Sequence, residues 1–223
     1  MQQKPEAIIF DMDGTLLETE SLLVHVHKRL FDTLREEGLY VEQPPKLAAL
    51  LGCLGMLLED IWKKLMPNSS QAARDRADEL MLQYEIEGLA AGEGDLYPGV
   101  VETLEKLQEQ GVRLFVASNG LEQYIRKIVH YKQMEPLFTD LYSAGQYETA
   151  SKVDLVRLLL HKYEITSAWM VGDRSSDIEA AKKNGLVAIG CAYAKYGQSE
   201  ELNEADILIS QFSELETLLA QTK

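Results

Sequence analysis

The chain has 223 residues, 46% hydrophobic and 26% charged, a mixture that excludes disordered and fibrous proteins and suits one large domain or a domain carrying an insertion. Its 22 Lys and Arg against 36 Asp and Glu give a formal net charge of −14, which repels polyanions and argues against binding a nucleic-acid polymer. The longest uncharged apolar stretch, residues 47–58, falls short of the roughly 20 residues of a membrane span, and the opening MQQKPEAIIFDMD leaves no room for a signal-peptide apolar region. A cytoplasmic protein with no membrane contact is expected. Cys53 and Cys191 have no CxxC or His context and read as reduced structural thiols.

Ala7 to Phe10 is a short apolar run ending at Asp11 ahead of Gly14, which predicts a buried strand stopping at a tight turn. From Glu18 to Ala91 the pattern is helical, at 19–37, 46–51, 55–65 and 70–88, with breaks at Pro44-Pro45, Pro67-Asn68-Ser69 and Gly92-Glu93-Gly94. A βαβ crossover usually carries one helix, so this stretch reads as a separate helical subdomain. A strand at 112–117 ends at Ser118-Asn119-Gly120 before a helix at 121–130, and one at 168–171 ends at Gly172-Asp173 before a helix at 176–184. Weaker strands at 187–189 and 206–209 and a helix near 212–221 complete the alternation. The expected class is α/β with a parallel sheet, its ligand site outside the carboxyl ends of the strands.

The sharpest chemical signal is Asp11-Met12-Asp13-Gly14-Thr15. Two carboxylates on a chain leaving a strand for a glycine turn can converge on one small space, with Thr15 and backbone N–H groups facing an anion. Alone, the pentapeptide also reads as a polar turn. Complementary groups stand at other strand ends and helix starts: Ser118 and Asn119, Lys152 in SKVDL, and Asp173 with Asp177 in GDRSSD. Singly these too have plain readings, as turn residue, solvated lysine and first-turn helix acid.

Together and in this order the motifs resemble the haloacid dehalogenase superfamily of phosphoryl-transfer hydrolases. The resemblance covers the whole chain. Its helical insertion stands where the helical-cap branch, similar to phosphoglycolate phosphatase and β-phosphoglucomutase, places a cap, and LYPGV at 96–100 resembles that branch's return to the core. It implies a Rossmann-like catalytic core over residues 1–17 and 92–223 and a cap over 18–91. Carried over, Asp11 is the nucleophile that forms an aspartyl-phosphate and Asp13 the general acid and base. Thr15, Ser118, Asn119 and Lys152 bind the phosphate. Mg²⁺ is held by Asp11, the backbone carbonyl of Asp13 and Asp173, with Asp177 a ligand or a group orienting a metal-bound water. The implied function is a Mg²⁺-dependent phosphatase acting on a small cytosolic phosphomonoester; oligomeric state is not legible.

Asp13 separates the chain from dehalogenases of the superfamily, which release halide without a proton and lack this aspartate. Phosphosugar mutases similar to it carry an Arg in a Gly-containing cap loop, whereas LLGCLGMLLED has none. Phosphonatases use a cap lysine, but Lys28, Lys63 and Lys64 read as solvated helix residues. A pyrophosphatase is a further alternative. Receiver-type phospho-acceptor domains place the phosphorylated Asp on a later strand and have no insertion. His25 and His27 do not share a helix face and make a weak metal pair. Trp62, Tyr84 and Tyr97 read as packing residues.

Overall fold

The computed structural model describes residues 3–56, 58–195 and 199–222. In chain order, β1 (Ala7–Phe10) leads to the two-residue strand β2 (Leu17–Glu18), and then come the helices α1 (Thr19–Glu36), α2 (Leu47–Leu51), α3 (Leu58–Leu65) and α4 (Gln71–Ala90). β3 (Asp95–Leu96) pairs antiparallel with β2, Leu17 opposite Leu96, so the chain leaves for the helices and returns through one short ladder. The rest alternates: α5 (Val100–Glu109), β4 (Arg113–Ser118), α6 (Glu122–Tyr131), β5 (Asp140–Ser143), α7 (Ala144–Tyr147), α8 (Lys152–Lys162), β6 (Ala168–Gly172), α9 (Ser175–Lys183), β7 (Val187–Cys191), β8 (Ile207–Ile209) and α10 (Glu214–Ala220).

The main sheet has six strands in the order β5-β4-β1-β6-β7-β8, all parallel. Helices cover both faces, which is why its central strands are apolar throughout instead of alternating. Along β1, Ile8 and Phe10 join one cluster with Leu107 of α5, Ile128 of α6 and Leu215 of α10, while Ala7 and Ile9 join another with Leu159 of α8 and Ile178 of α9. The architecture is a three-layer, Rossmann-like α/β fold. β1 pairs with β4 on one side and β6 on the other, so the strand order reverses there and the carboxyl ends of three strands open onto one crevice.

Of the inserted segment, residues 54–56, α3 and α4 line that crevice, and α1 packs behind α4. In α1, Leu22, Leu23, Val26, Leu30 and Leu34 fall at helical spacing and are buried against a face of α4 carrying Ala73, Ala77, Leu80 and Met81. Ser70 caps α4, its Oγ accepting the Ala73 N–H at 3.2 Å. Among the described residues, no helix is long and apolar enough to cross a membrane.

The sequence pattern misses β5. Asp140-Leu-Tyr-Ser offers one aliphatic residue, and as an edge strand it pairs only with β4. β2 and β3 are too short to show a period, and the sequence pattern also misses α5 and α7. Leu57 of the predicted 55–65 helix, and residues 1–2, 196–198 and 223 of the predicted core, lie outside the described residues.

Candidate active site

At the end of β1 the Asp11 N–H donates to the Val171 carbonyl at 2.9 Å, extending the ladder by one residue. The chain then doubles back. The N–H groups of Leu16 and Leu17 reach the Met12 carbonyl at 2.9 and 3.0 Å, and that of Gly14 reaches the Leu17 carbonyl at 3.0 Å. Met12 is fully buried, and its neighbours Asp11 and Asp13 both line the crevice between sheet and inserted helices. Gly14 sits at φ +77°, and a Cβ there would collide with the Asp173 carboxylate, so the turn requires glycine on two counts.

The remaining charges come from α8, β6 and α9. Ser151 caps α8, accepting the Asp154 N–H at 3.2 Å, and this sets Lys152 in the first turn with only 3% exposure. Its Nζ lies 2.8 Å from Asp11 Oδ1 and 2.6 Å from Asp177 Oδ1. The other Asp177 oxygen accepts the Arg174 N–H at 3.0 Å, so the same carboxylate caps α9 and holds the lysine. A Cβ on Gly172 would strike Asp177, which makes that glycine a matter of space. Thr15 Oγ1 donates to Asp173 Oδ1 at 3.4 Å and does not line the crevice.

Asp11, Asp173 and Asp177 each offer an oxygen within 4.8 Å of the other two, and all three are buried. Burial, then the charges of Asp11 and Asp177, push the Asp173 carboxyl well above the usual range. Burial and Asp11 likewise raise Asp177, against the pull of Lys152. Burial opposes the charge on Lys152, but Asp11 and Asp177 outweigh it and hold the ammonium above its ordinary range. Buried negative charge exceeding the positive charge in contact with it, on an all-oxygen donor set, suits a hard divalent cation.

Asp13 has a different setting. Its Oδ1 accepts from Tyr124 at 2.7 Å and from Thr19 at 2.8 Å. Burial and the charge of Asp11 raise it to about 6, those two hydrogen bonds acting in the opposite sense. Two carboxyls at the end of one strand are thus held apart in character, one beside an ammonium and the other poised to carry a proton near neutrality.

A family model described as haloacid dehalogenase-like hydrolase matches residues 8–191. The chain belongs to that family. A phosphoglycolate phosphatase from Photobacterium profundum is 26% identical over 218 residues, covering 93% of each chain. A 5'-nucleotidase from Pseudomonas aeruginosa is 26% identical over 198 residues, 87% of this chain and 86% of that one. The crystal structure of CbbY from Rhodobacter sphaeroides in complex with phosphate is 25% identical, covers 95% of this chain and 96% of its own, and superposes with a TM-score of 0.78.

In this family member the predicted site residues divide between the crevice wall, which Asp11, Asp13, Ser118 and Asn119 line, and a buried cluster behind it. Asp11, Lys152, Asp173 and Asp177 form the buried charge cluster, with Thr15 beside Asp173. Ser118, buried at the end of β4, accepts the Gly120 N–H at 3.1 Å and lines the crevice. Asn119 lines it too, but its Nδ2 donates to the Gly55 carbonyl of the inserted segment at 2.8 Å.

Sequence reasoning missed Thr19 and Tyr124, which hold Asp13, and Glu85 of α4. Burial, then Asp13, pushes the Glu85 carboxyl well above its ordinary range. It also missed Arg174, whose Nη1 donates to Glu201 at 3.0 Å and whose Nη2 donates to the Leu51 carbonyl at 2.9 Å. Only Arg174 stood in a flagged motif, and nothing local marks Glu85, one acid among several on a long helix.

Proposed function

We propose that the chain is a phosphatase acting on a small phosphomonoester, with Asp11 as nucleophile and Asp13 as general acid and base. The observation that carries this reading is the pairing of Asp11, held against Lys152 at 2.8 Å, with Asp13, raised to about 6, on one two-residue step of the chain. A carboxylate oxygen of Asp11 attacks phosphorus and the bond to the leaving oxygen breaks. Asp13 gives its proton to that oxygen. Water then attacks the aspartyl-phosphate, Asp13 takes the water's proton, and the Asp11–phosphorus bond breaks to release inorganic phosphate. Lys152 and the Ser118 hydroxyl stabilise charge on the non-bridging oxygens.

The carboxylates of Asp11 and Asp173, the backbone carbonyl of Asp13 and, directly or through water, Asp177 are the groups that would hold Mg²⁺. When bound, it supplies positive charge that lets the anionic nucleophile and the anionic phosphate approach each other. The inserted helices act as a cap that excludes water and selects the leaving group.

A mutase would need a seat for a second phosphoryl group, and among the described residues lining the crevice there is no Lys, Arg or His. Lys28, Lys63 and Lys64 are exposed and lie outside it, which disfavours an imine-forming phosphonatase. The test is phosphate release from a panel of phosphomonoesters and pyrophosphate with Mg²⁺. Phosphate is the expected product, and failure to release it from every member, a generic aryl phosphate included, would overturn the reading.

A further inference from the structure

The crevice continues from Asp13 away from the charge cluster into a cleft between the inserted helices and the α6 end of the core. One wall is apolar, with Met56, Ile61, Met81 and Leu82. The polar groups of the opposite character are acids and an amide. Asp78 accepts a hydrogen bond from Trp62 Nε1. Glu85 is 6% exposed, lines the cleft, and has no hydrogen bond to its carboxyl among the described residues. Asn119 Oδ1 is buried on the same cleft without a donor. A buried acceptor left unpaired, as Asn119 Oδ1 is, is costly, and a site that leaves it so beside an unbonded carboxyl is shaped for something that arrives with donors.

Resting on the phosphatase reading, we propose that Glu85 is a specificity-determining residue that selects phosphomonoesters whose leaving group is uncharged or cationic and carries a hydroxyl or ammonium donor, and disfavours a carboxylate or second phosphate. A carboxylate placed here would find no basic side chain among the described lining residues and would meet Asp78 and a Glu85 carboxyl it keeps from ionising, whereas an arriving ammonium favours the ionised Glu85. The stretch of sequence from Leu54 to Asp60 supplies no basic residue either. Similarity to phosphoglycolate phosphatases does not by itself make phosphoglycolate the substrate here: its leaving group carries a carboxylate, and the cleft of this chain offers acids.

The experiment compares kcat/KM of the full chain with Mg²⁺ for 2-phosphoglycolate, ethyl phosphate, glycerol 3-phosphate and O-phosphoethanolamine, with an aryl phosphate as reference. At least one donor-bearing substrate is expected to exceed phosphoglycolate by about tenfold or more, ethyl phosphate falling between. Glu85→Gln separates the donors: preference for phosphoethanolamine collapses if the ammonium is recognised, and preference for glycerol phosphate persists if the hydroxyl is. Glu85→Met, its fold checked by thermal melting, should remove either preference over ethyl phosphate. Phosphoglycolate as the best substrate of the four, or an unchanged donor preference in folded Glu85→Met, overturns the proposal while the phosphatase reading stands. If the Met variant does not fold, the wild-type ranking and the Gln variant decide. No cleavage of the aryl phosphate sinks the phosphatase reading and this proposal with it.

Discussion

Arg174 donates from Nη2 to the backbone carbonyl of Leu51 at 2.9 Å. The contact ties the residue that follows Asp173 to the inserted helices, and Gly55 rests on the same side chain, where an added Cβ would come within 3.0 Å of Arg174 Cγ. Arg174 Nε also lies 3.5 Å from Asp173 Oδ2, so one guanidinium touches both the inserted segment and the charge cluster. Arg174→Met, which keeps the stem and loses the donors, should destabilise the protein by about 2 kcal/mol, since a buried carbonyl and Glu201 both lose a partner. It should also raise KM more than it lowers kcat. Denaturant midpoints and steady-state kinetics check both, and wild-type stability would remove the latch.

Lys152 joins two buried carboxylates. Lys152→Met leaves both without their cation, a loss of about 3–5 kcal/mol in the metal-free protein, and abolishes turnover. Mg²⁺ should recover part of the stability and none of the activity. A stable, active Lys152→Met protein would remove the lysine from its assigned role.

The two aspartates of the turn should fail differently. Asp11→Asn should be inactive and unable to take up phosphate, because an amide is a poor nucleophile. Asp13→Asn keeps the nucleophile but loses the proton carrier, so with a good leaving group a phosphorylated protein should accumulate, visible by intact-mass spectrometry as one added phosphoryl group. Near wild-type turnover in Asp11→Asn would dismiss the covalent mechanism.

Tyr124 donates to Asp13, and that bond favours the ionised carboxylate. Tyr124→Phe should raise the Asp13 pKa above about 6, by roughly half to one unit. The limb of the pH–rate profile that Asp13 governs should move to higher pH by that amount. A shift to lower pH, or none, contradicts the assignment.

Buried acids with raised folded-state pKa also make a stability prediction. Asp13, Glu85, Asp173 and Asp177 are all pushed upward, while their unfolded values lie near 4. Over that interval the folded chain holds protons the unfolded chain has lost. Their contribution is full below pH about 4 and is lost as pH rises through the folded values. With chelator present, Tm should therefore fall between pH 5 and pH 8, and Mg²⁺ should restore it most at the upper end. A Tm that rises across that range without metal would contradict the described electrostatics.

Much of this was legible because the motif residues stand where backbone regularity ends. Asp11, Ser118 and Asp173 close apolar runs, and Lys152 follows a capping serine, so local pattern alone marks them and their order carries the family resemblance. The sequence by itself determined the chemical types available, the alternation that makes a parallel sheet, and the helical interruption after the first strand. Tertiary structure decided which of those groups meet. β5 was invisible because an edge strand of Asp-Leu-Tyr-Ser has no apolar run, and its pairing with β4 is a long-range fact. Thr19, Tyr124 and Glu85 sit 6, 111 and 72 positions from Asp13 on three different helices, and no period along the chain relates them. Glu85 in particular reads as a solvated helix acid until α4 packs over α6 and turns it inward, because burial depends on what lies across the interface.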